Sequence, residues 1–175
     1  MPPPIPVELR SHDPAFAARA RRRGAVLAAA LGDRLLAVHH IGSTAVPGIA
    51  AKPVLDLFLV VRDLAGLDRR QVALEALGYA AWGELGLPGR RYFTLADTGG
   101  RRLEQLHAYA RGSPEIDRHL AFRDHLRAHP GLARAYEREK RRCRRIHPQD
   151  SHAYGDCKAA WIARIEAAAL ASRRT

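Results

Sequence analysis

The spacing of apolar positions changes along the chain, and each change marks an element. From Ala15 to about Leu31, Phe16, Val26, Leu27 and Leu31 can share one helix face, while Arg19, Arg21, Arg22 and Arg23 decorate it. Asp13-Pro14 supplies an N-cap and a first-turn proline, and Gly32-Asp33 closes the helix. Leu35 to Ile41 then reads as a strand, broken by Gly42-Ser43-Thr44. A connection punctuated by Pro and Gly follows, from Ala45 to Pro53. Val54 to Val61 is the most apolar run in the chain, and its β-branched content predicts a central strand buried on both faces. Asp56 is the one carboxylate inside it.

Further on, Leu67 to Leu77 predicts a short amphipathic helix with Gly78 as its C-cap. Tyr79 to Trp82, Tyr92 to Leu95 and Leu103 to Tyr109 read as strands, the last two joined by a Thr98-Gly99-Gly100 turn. After Gly112 the pattern is helical. Ser113-Pro114-Glu115 opens a helix to about His129, Leu132 to about Ile146 forms the next, and Ser151 to Ala171 the last. The predicted class is α+β, one domain over 1–175: a mixed sheet flanked by helices, with a helical C-terminal half. The proline-rich opening is short enough to be only a tail.

Composition adds charge to this picture. The chain has 175 residues and a net charge of +11. Lys52, Lys140 and Lys158 are its only lysines; the other 26 of its 29 basic residues are arginines. Such a balance suits anionic partners, though arginines on solvated helix faces would produce it too. No run is apolar and long enough to span a membrane, and no signal peptide is visible, so a cytoplasmic, reduced protein is expected. Cys143 and Cys157 offer neither a disulfide framework nor a metal knuckle.

The candidate chemistry gathers at the first strand's end. Glycine lets a backbone turn tightly and approach a ligand, and the Ser43 and Thr44 hydroxyls beside it suit phosphate oxygens. Asp56, on the next strand, stands where a Mg²⁺ ligand would belong. A plain turn with a buried capping Asp is the alternative. His39 and His40 precede the turn on opposite strand faces, where one could reach a ligand and the other sit in the core. Lys52 lies between turn and carboxylate and could meet phosphate or solvent. Arg90 and Arg91 follow a Gly- and Pro-containing loop and could clamp an anion. Tyr154, Lys158, Trp161, Ile162, Ile165 and Ala169 form one helical stripe, so Lys158 faces inward, either snorkelling or reaching a cleft. Arg123 with Asp124 reads as a structural ion pair. The run Lys140 to Arg145 reads as a solvated basic face, with nucleic acid a less favoured partner.

The segment His39-His40-Ile41-Gly42-Ser43-Thr44-Ala45-Val46-Pro47-Gly48-Ile49-Ala50-Ala51-Lys52-Pro53-Val54-Leu55-Asp56-Leu57 resembles the signature of the GrpB-like family, assigned to the nucleotidyltransferase (polymerase-β-like) fold superfamily. Pro88 to Phe93, Leu106 to Tyr109, His119 to Pro130, and Tyr154 with Lys158 resemble it too. The resemblance implies a sheet of nucleotidyltransferase type. It also implies a nucleotide or other phosphate compound, with Mg²⁺, at Gly42, Ser43, Thr44 and Asp56. Lys52, Arg91 and Lys158 would assist, and His107 would act as base. The superfamily pattern asks for a second carboxylate where Phe58 stands, so one Mg²⁺ held with the nucleotide is expected rather than two. Glu104 could supply the third carboxylate, but strand alternation turns it away from His107, and only one can face the site. Nucleotidyl transfer to a small-molecule or protein acceptor is therefore one expectation. A degenerate module that only binds a phosphate or CoA-type compound is the other.

Overall fold

The computed structural model describes residues 2–173. Helix α1 (Ala15–Leu31) leads into β1 (Leu35–Ile41), the turn at Ser43–Ala45, and β2 (Leu55–Val61). Helices α2 (Leu64–Asp68) and α3 (Gln71–Glu75) follow, then β3 (Ala80–Ala81), β4 (Arg90–Ala96) and β5 (Arg102–Ala110). The chain finishes with α4 (Pro114–Ala128), α5 (Pro130–Ile146) and α6 (Ser151–Ser172). The five strands form one mixed sheet in the order β1-β2-β5-β4-β3, with β2 and β5 parallel and the other pairs antiparallel. The apolar run is interior, as predicted, although β5 takes the middle place.

Strand alternation divides the sheet into two chemically different faces. Leu55, Leu57, Leu59, Val61, Leu106, Ala108 and Phe93 point one way and pack under Phe16, Leu27 and Leu31 of α1 and Leu67 and Leu74 of α2 and α3. Ile41, Phe58, Val60 and Tyr109 point the other way, against Ile116 and Leu120 of α4. A third cluster joins the connection after the turn, through Val46 and Ile49, to Leu126, Ala133, Tyr136 and Ile165 of the helical half. The turn therefore sits between the sheet and the helices, pinned from both.

Three expectations need correction. The helix predicted over Leu67 to Leu77 is two short ones: α2 starts earlier because the Asp63 carboxylate accepts from the Gly66 N–H, and the regular pattern breaks at Arg69-Arg70. The proline-rich opening is a strap, not a tail. Val7 is buried and donates to the Pro148 carbonyl at 2.8 Å, and Arg10 bridges with Ala51 through both backbone groups. Finally, Cys143 and Cys157 form a disulfide, with Cα atoms 5.8 Å apart. They lie on different helices, α5 and α6, and their meeting depends on tertiary packing that the local sequence does not encode.

Candidate functional site

Gly42 has φ +69, a conformation that side-chain-bearing residues rarely adopt. The backbone there runs directly over the β2 carboxylate: a Cβ on Gly42 would meet Asp56 Oδ2 at 2.5 Å. The register explains this, because Ile41 pairs with Asp56. The turn is held by several partners. His40 Nε2 lies 2.9 Å from Thr44 Oγ1, Arg123 donates to the His40 carbonyl at 3.2 Å, and Arg127 to that of Ala45 at 2.8 Å. The Tyr136 hydroxyl bonds with Ser43. Arg123 also pairs with Asp124, as expected, at 2.7 Å. Burial and the neighbouring arginines hold the His40 imidazole near pKa 4, so it is neutral beside Thr44.

Asp56 is surrounded by cations. Desolvation raises its pKa to about 6, against the pull of Lys52, Lys158 and Arg102. Burial lowers Lys52 and Lys158 to about 8, although Asp56 favours their charged forms. The Nζ atoms of Lys158 and Lys52 lie 4.4 Å and 5.7 Å from the centre of the Tyr154 ring. Lys140, expected in solvent, is 1% exposed; it sits 4.8 Å over the Tyr136 ring and donates to the Ala50 carbonyl. Burial, with Lys158 nearby, lowers its pKa to about 7. All three lysines of the chain thus gather around one pair of tyrosines. Glu137 accepts from the Ala50 N–H at 3.0 Å, so α5 grips both backbone polar groups of Ala50, in the connection between turn and carboxylate.

The neighbours of Asp56 decide which metal chemistry the site can support. Gln105, an amide, pairs with Asp56 across β5. Phe58, at the expected second carboxylate, is fully buried, stacked on Tyr109 at 5.3 Å and packed on His119 at 4.9 Å. Among the described residues, the one group of three His, Cys, Asp or Glu side chains close enough to share a metal is Glu139, Cys143 and Cys157, away from Asp56 and closed by the disulfide. These residues do not fit a two-ion centre. They fit one ion that arrives with its own oxygen ligands and takes Asp56 as its protein ligand.

Two predicted residues face away. Glu104 lies on the opposite face, bonded to the Tyr79 hydroxyl and paired with Arg23 at 2.9 Å, and cannot join Asp56. Arg91 also turns from the site and makes a two-pronged bond with Asp68 at 2.7 and 2.8 Å; its neighbour Arg90 faces the Asp56 side but is taken by the Glu84 and Leu85 carbonyls. His107 does face the Asp56 side, packed 5.1 Å from the Tyr92 ring and 6.1 Å from His119. Burial and surrounding positive charge push its pKa to about 3, which makes it a poor proton acceptor at neutral pH. The sequence reading missed Lys140, Tyr136, Arg102 and Gln105. The scarcity of lysine was the available signal: three lysines among 29 basic residues need a reason not to be arginine.

The GrpB protein family model matches residues 6–168. The Bacillus subtilis UPF0157 protein YqkA is 41% identical over 135 residues, covering 77% of this chain; this chain spans 39% of YqkA. A dephospho-CoA kinase of Mycobacterium leprae is 29% identical over 90% of this chain and 45% of its own length. Among solved structures, the conserved protein GrpB from Enterococcus faecalis superposes with a TM-score of 0.89 at 35% identity, covering 96% of this chain and all of that one. The Cid1 poly(U) polymerase bound to Mg and 3'-dATP matches with a TM-score of 0.55 at 14% identity, over 85% of this chain and 49% of Cid1, a likeness of fold. The chain belongs to the GrpB family, built on the nucleotidyltransferase fold.

Proposed function

We propose that this chain binds the phosphate groups of a nucleotide or related phosphate ester between the Gly42-Ser43-Thr44 turn and the lysines of the helical half. The observation that carries the reading is the placement of Asp56 directly beneath the Gly42 backbone, among Lys52, Lys158 and Arg102. A single carboxylate within three cations leaves an excess of positive charge, and a polyanion is the ligand that neutralises it. The two lysines would do for the phosphates what a second metal ion does in a complete site, which is to neutralise charge. Mg²⁺ would enter with the ligand, its ligands completed by phosphate oxygens and Asp56. The mycobacterial relative named as a dephospho-CoA kinase is in keeping with a phosphate-ester ligand. Fast nucleotidyl transfer is not part of the proposal, because buried Phe58 stands where the superfamily resemblance asks for a second carboxylate and His107 is too weakly basic to take a proton from an acceptor.

Thermal melting with ADP and ATP, with and without Mg²⁺, tests the reading. Both nucleotides should raise Tm, Mg²⁺ should add to the shift, and Asp56→Asn should remove the Mg²⁺ increment. Gly42→Ala should abolish the nucleotide shift, since the new Cβ overlaps the carboxylate and φ +69 strains it by about 1–3 kcal/mol. Tight binding of Mg²⁺ alone that survives Asp56→Asn would show the metal held elsewhere. Nucleotide shifts that survive Gly42→Ala would place the phosphates elsewhere.

A further inference from the structure

Beside the phosphate-binding residues lies a cavity of about 350 Å³ with a different character. Lys52 and Arg102 line it, and both also act on Asp56. The cavity therefore opens onto the same cations that would hold phosphate. Its other walls are apolar or bare: Ile5 and Pro6 of the N-terminal strap, Pro53, and the Gly99-Gly100 turn between β4 and β5. The wall charges other than Lys52 and Arg102 are already engaged, Glu8 with Arg10 at 2.7 Å and Arg101 with Asp97 at 3.0 Å. A larger cavity of about 600 Å³ runs between α1 and β1, but its wall is mostly alanine and aliphatic side chains and it touches neither Asp56 nor any lysine.

The strap that closes this cavity is fixed. The Ile5 N–H donates to Ser151 Oγ at 3.1 Å, Val7 N–H to the Pro148 carbonyl at 2.8 Å, and Arg144 Nε to the Val7 carbonyl at 3.0 Å. Arg102 reaches the Pro3 carbonyl at 3.4 Å, so a single side chain joins the strap to the cation cluster. A slot bounded by proline rings and side-chain-free peptide planes favours a flat ring over a flexible chain. Its size lies in the usual range for small-ligand sites.

We infer that this cavity is the nucleoside subsite: the base of a nucleoside diphosphate lies between Pro6, Pro53 and the Gly99-Gly100 turn, with its phosphates on Lys52, Arg102 and the Gly42 turn. The inference rests on the phosphate-binding reading above and adds to it the class of organic group the ligand carries. It also gives the strap a role, as the wall that selects a ring.

Calorimetric titration of the full chain with pyrophosphate, ADP and phosphopantetheine tests it. Pyrophosphate reads the phosphate site alone. ADP should bind at least tenfold more tightly than pyrophosphate, and phosphopantetheine should show no such gain. Pro6→Trp and Ile5→Trp, on the strap, fill the cavity from its wall and should bring ADP affinity down to the level of pyrophosphate. ADP binding no tighter than pyrophosphate, an ADP gain that survives both tryptophans, or an equal gain for phosphopantetheine would each overturn the inference while leaving the phosphate site in place. If pyrophosphate itself does not bind, the phosphate reading fails and the subsite falls with it.

Discussion

Lysine at a phosphate site gives binding a dependence on pH that arginine would not. Lys52 and Lys158 stand near pKa 8 because burial disfavours their charge more strongly than Asp56 supports it. Between about pH 7 and about pH 9, a group with a pKa of 8 loses roughly tenfold of its protonated fraction. If both ammonium groups contact phosphate, ADP affinity should fall about 100-fold across that interval, the two titrating as a coupled pair. The stability of the free protein moves the other way. In the folded chain these lysines release protons near pH 8, whereas in the unfolded chain they hold them to about 10.5. Above pH 8 the unfolded state therefore binds more protons, and stability rises with pH. Asp56 supplies the opposite limb. Its pKa of about 6 means that the Mg²⁺-dependent part of binding should fade as pH drops through 6. Calorimetry of ADP with Mg²⁺ from about pH 5 to about pH 9 should give a bell, with apo melting curves rising on the alkaline side. Lys52→Arg with Lys158→Arg should flatten the alkaline limb, because guanidinium stays protonated throughout. A flat profile in the unmodified protein, or an alkaline limb that persists in the double arginine variant, would refute the role given to these lysines.

Phe58→Asp, which the superfamily pattern suggests as a repair, should instead unfold the protein: Phe58 is wholly buried between Tyr109 and His119, and the change leaves a cavity and an unpaired charge costing upward of about 3 kcal/mol. Chemical denaturation of that variant decides it, and a stable protein with improved Mg²⁺ binding would show that the aromatic cluster is dispensable. Reducing the disulfide, which joins residues 14 apart, should lower stability by about 3 kcal/mol on the loop-entropy estimate, read as a shift of the denaturation midpoint; an unchanged midpoint would mean the bond is not formed in solution.

The strands were legible because each carries a strong local pattern. The length and β-branched content of Val54 to Val61 favoured an interior strand, and alternation alone predicted that Glu104 and His107 would part company. The turn and Asp56 were legible for the same reason, since a glycine break and a lone carboxylate in an apolar run are local features. What escaped was set by distant contacts. Arg91 looked like an anion clamp from its Gly-rich surroundings, but its partner Asp68 lies 23 residues back, on a helix packed against the other face of the sheet. Lys140 sat in a run of basic residues and took its character from the rotation of α5, which turns this one position toward Ala50 and Tyr136. The opening prolines gave no pattern at all, and their role as a wall emerges only once the C-terminal helices supply Pro148 and Ser151 as anchors.

The use of lysine rather than arginine at positions 52, 140 and 158 follows from how the two cations tolerate burial. An ammonium whose pKa burial has lowered to about 8 can shed its proton as pH rises, so burying it costs less than burying a charge that cannot be shed. A guanidinium cannot, and here the buried arginines are found already bonded to backbone carbonyls: Arg90 to those of Glu84 and Leu85, Arg102 to that of Pro3. Arg90 therefore fixes structure and Arg102 ties the N-terminal strap to the cation cluster, while on the proposed reading Lys52 and Lys158 respond to an arriving anion. That division also bears on Phe58. With Phe58 in place of a second carboxylate, Asp56 faces Lys52, Lys158 and Arg102, and the local charge is net positive. On the proposed reading the aromatic residue and the lysines act together: the first leaves Asp56 as the single protein ligand for a Mg²⁺ that arrives with the phosphates, and the second would neutralise the phosphates themselves.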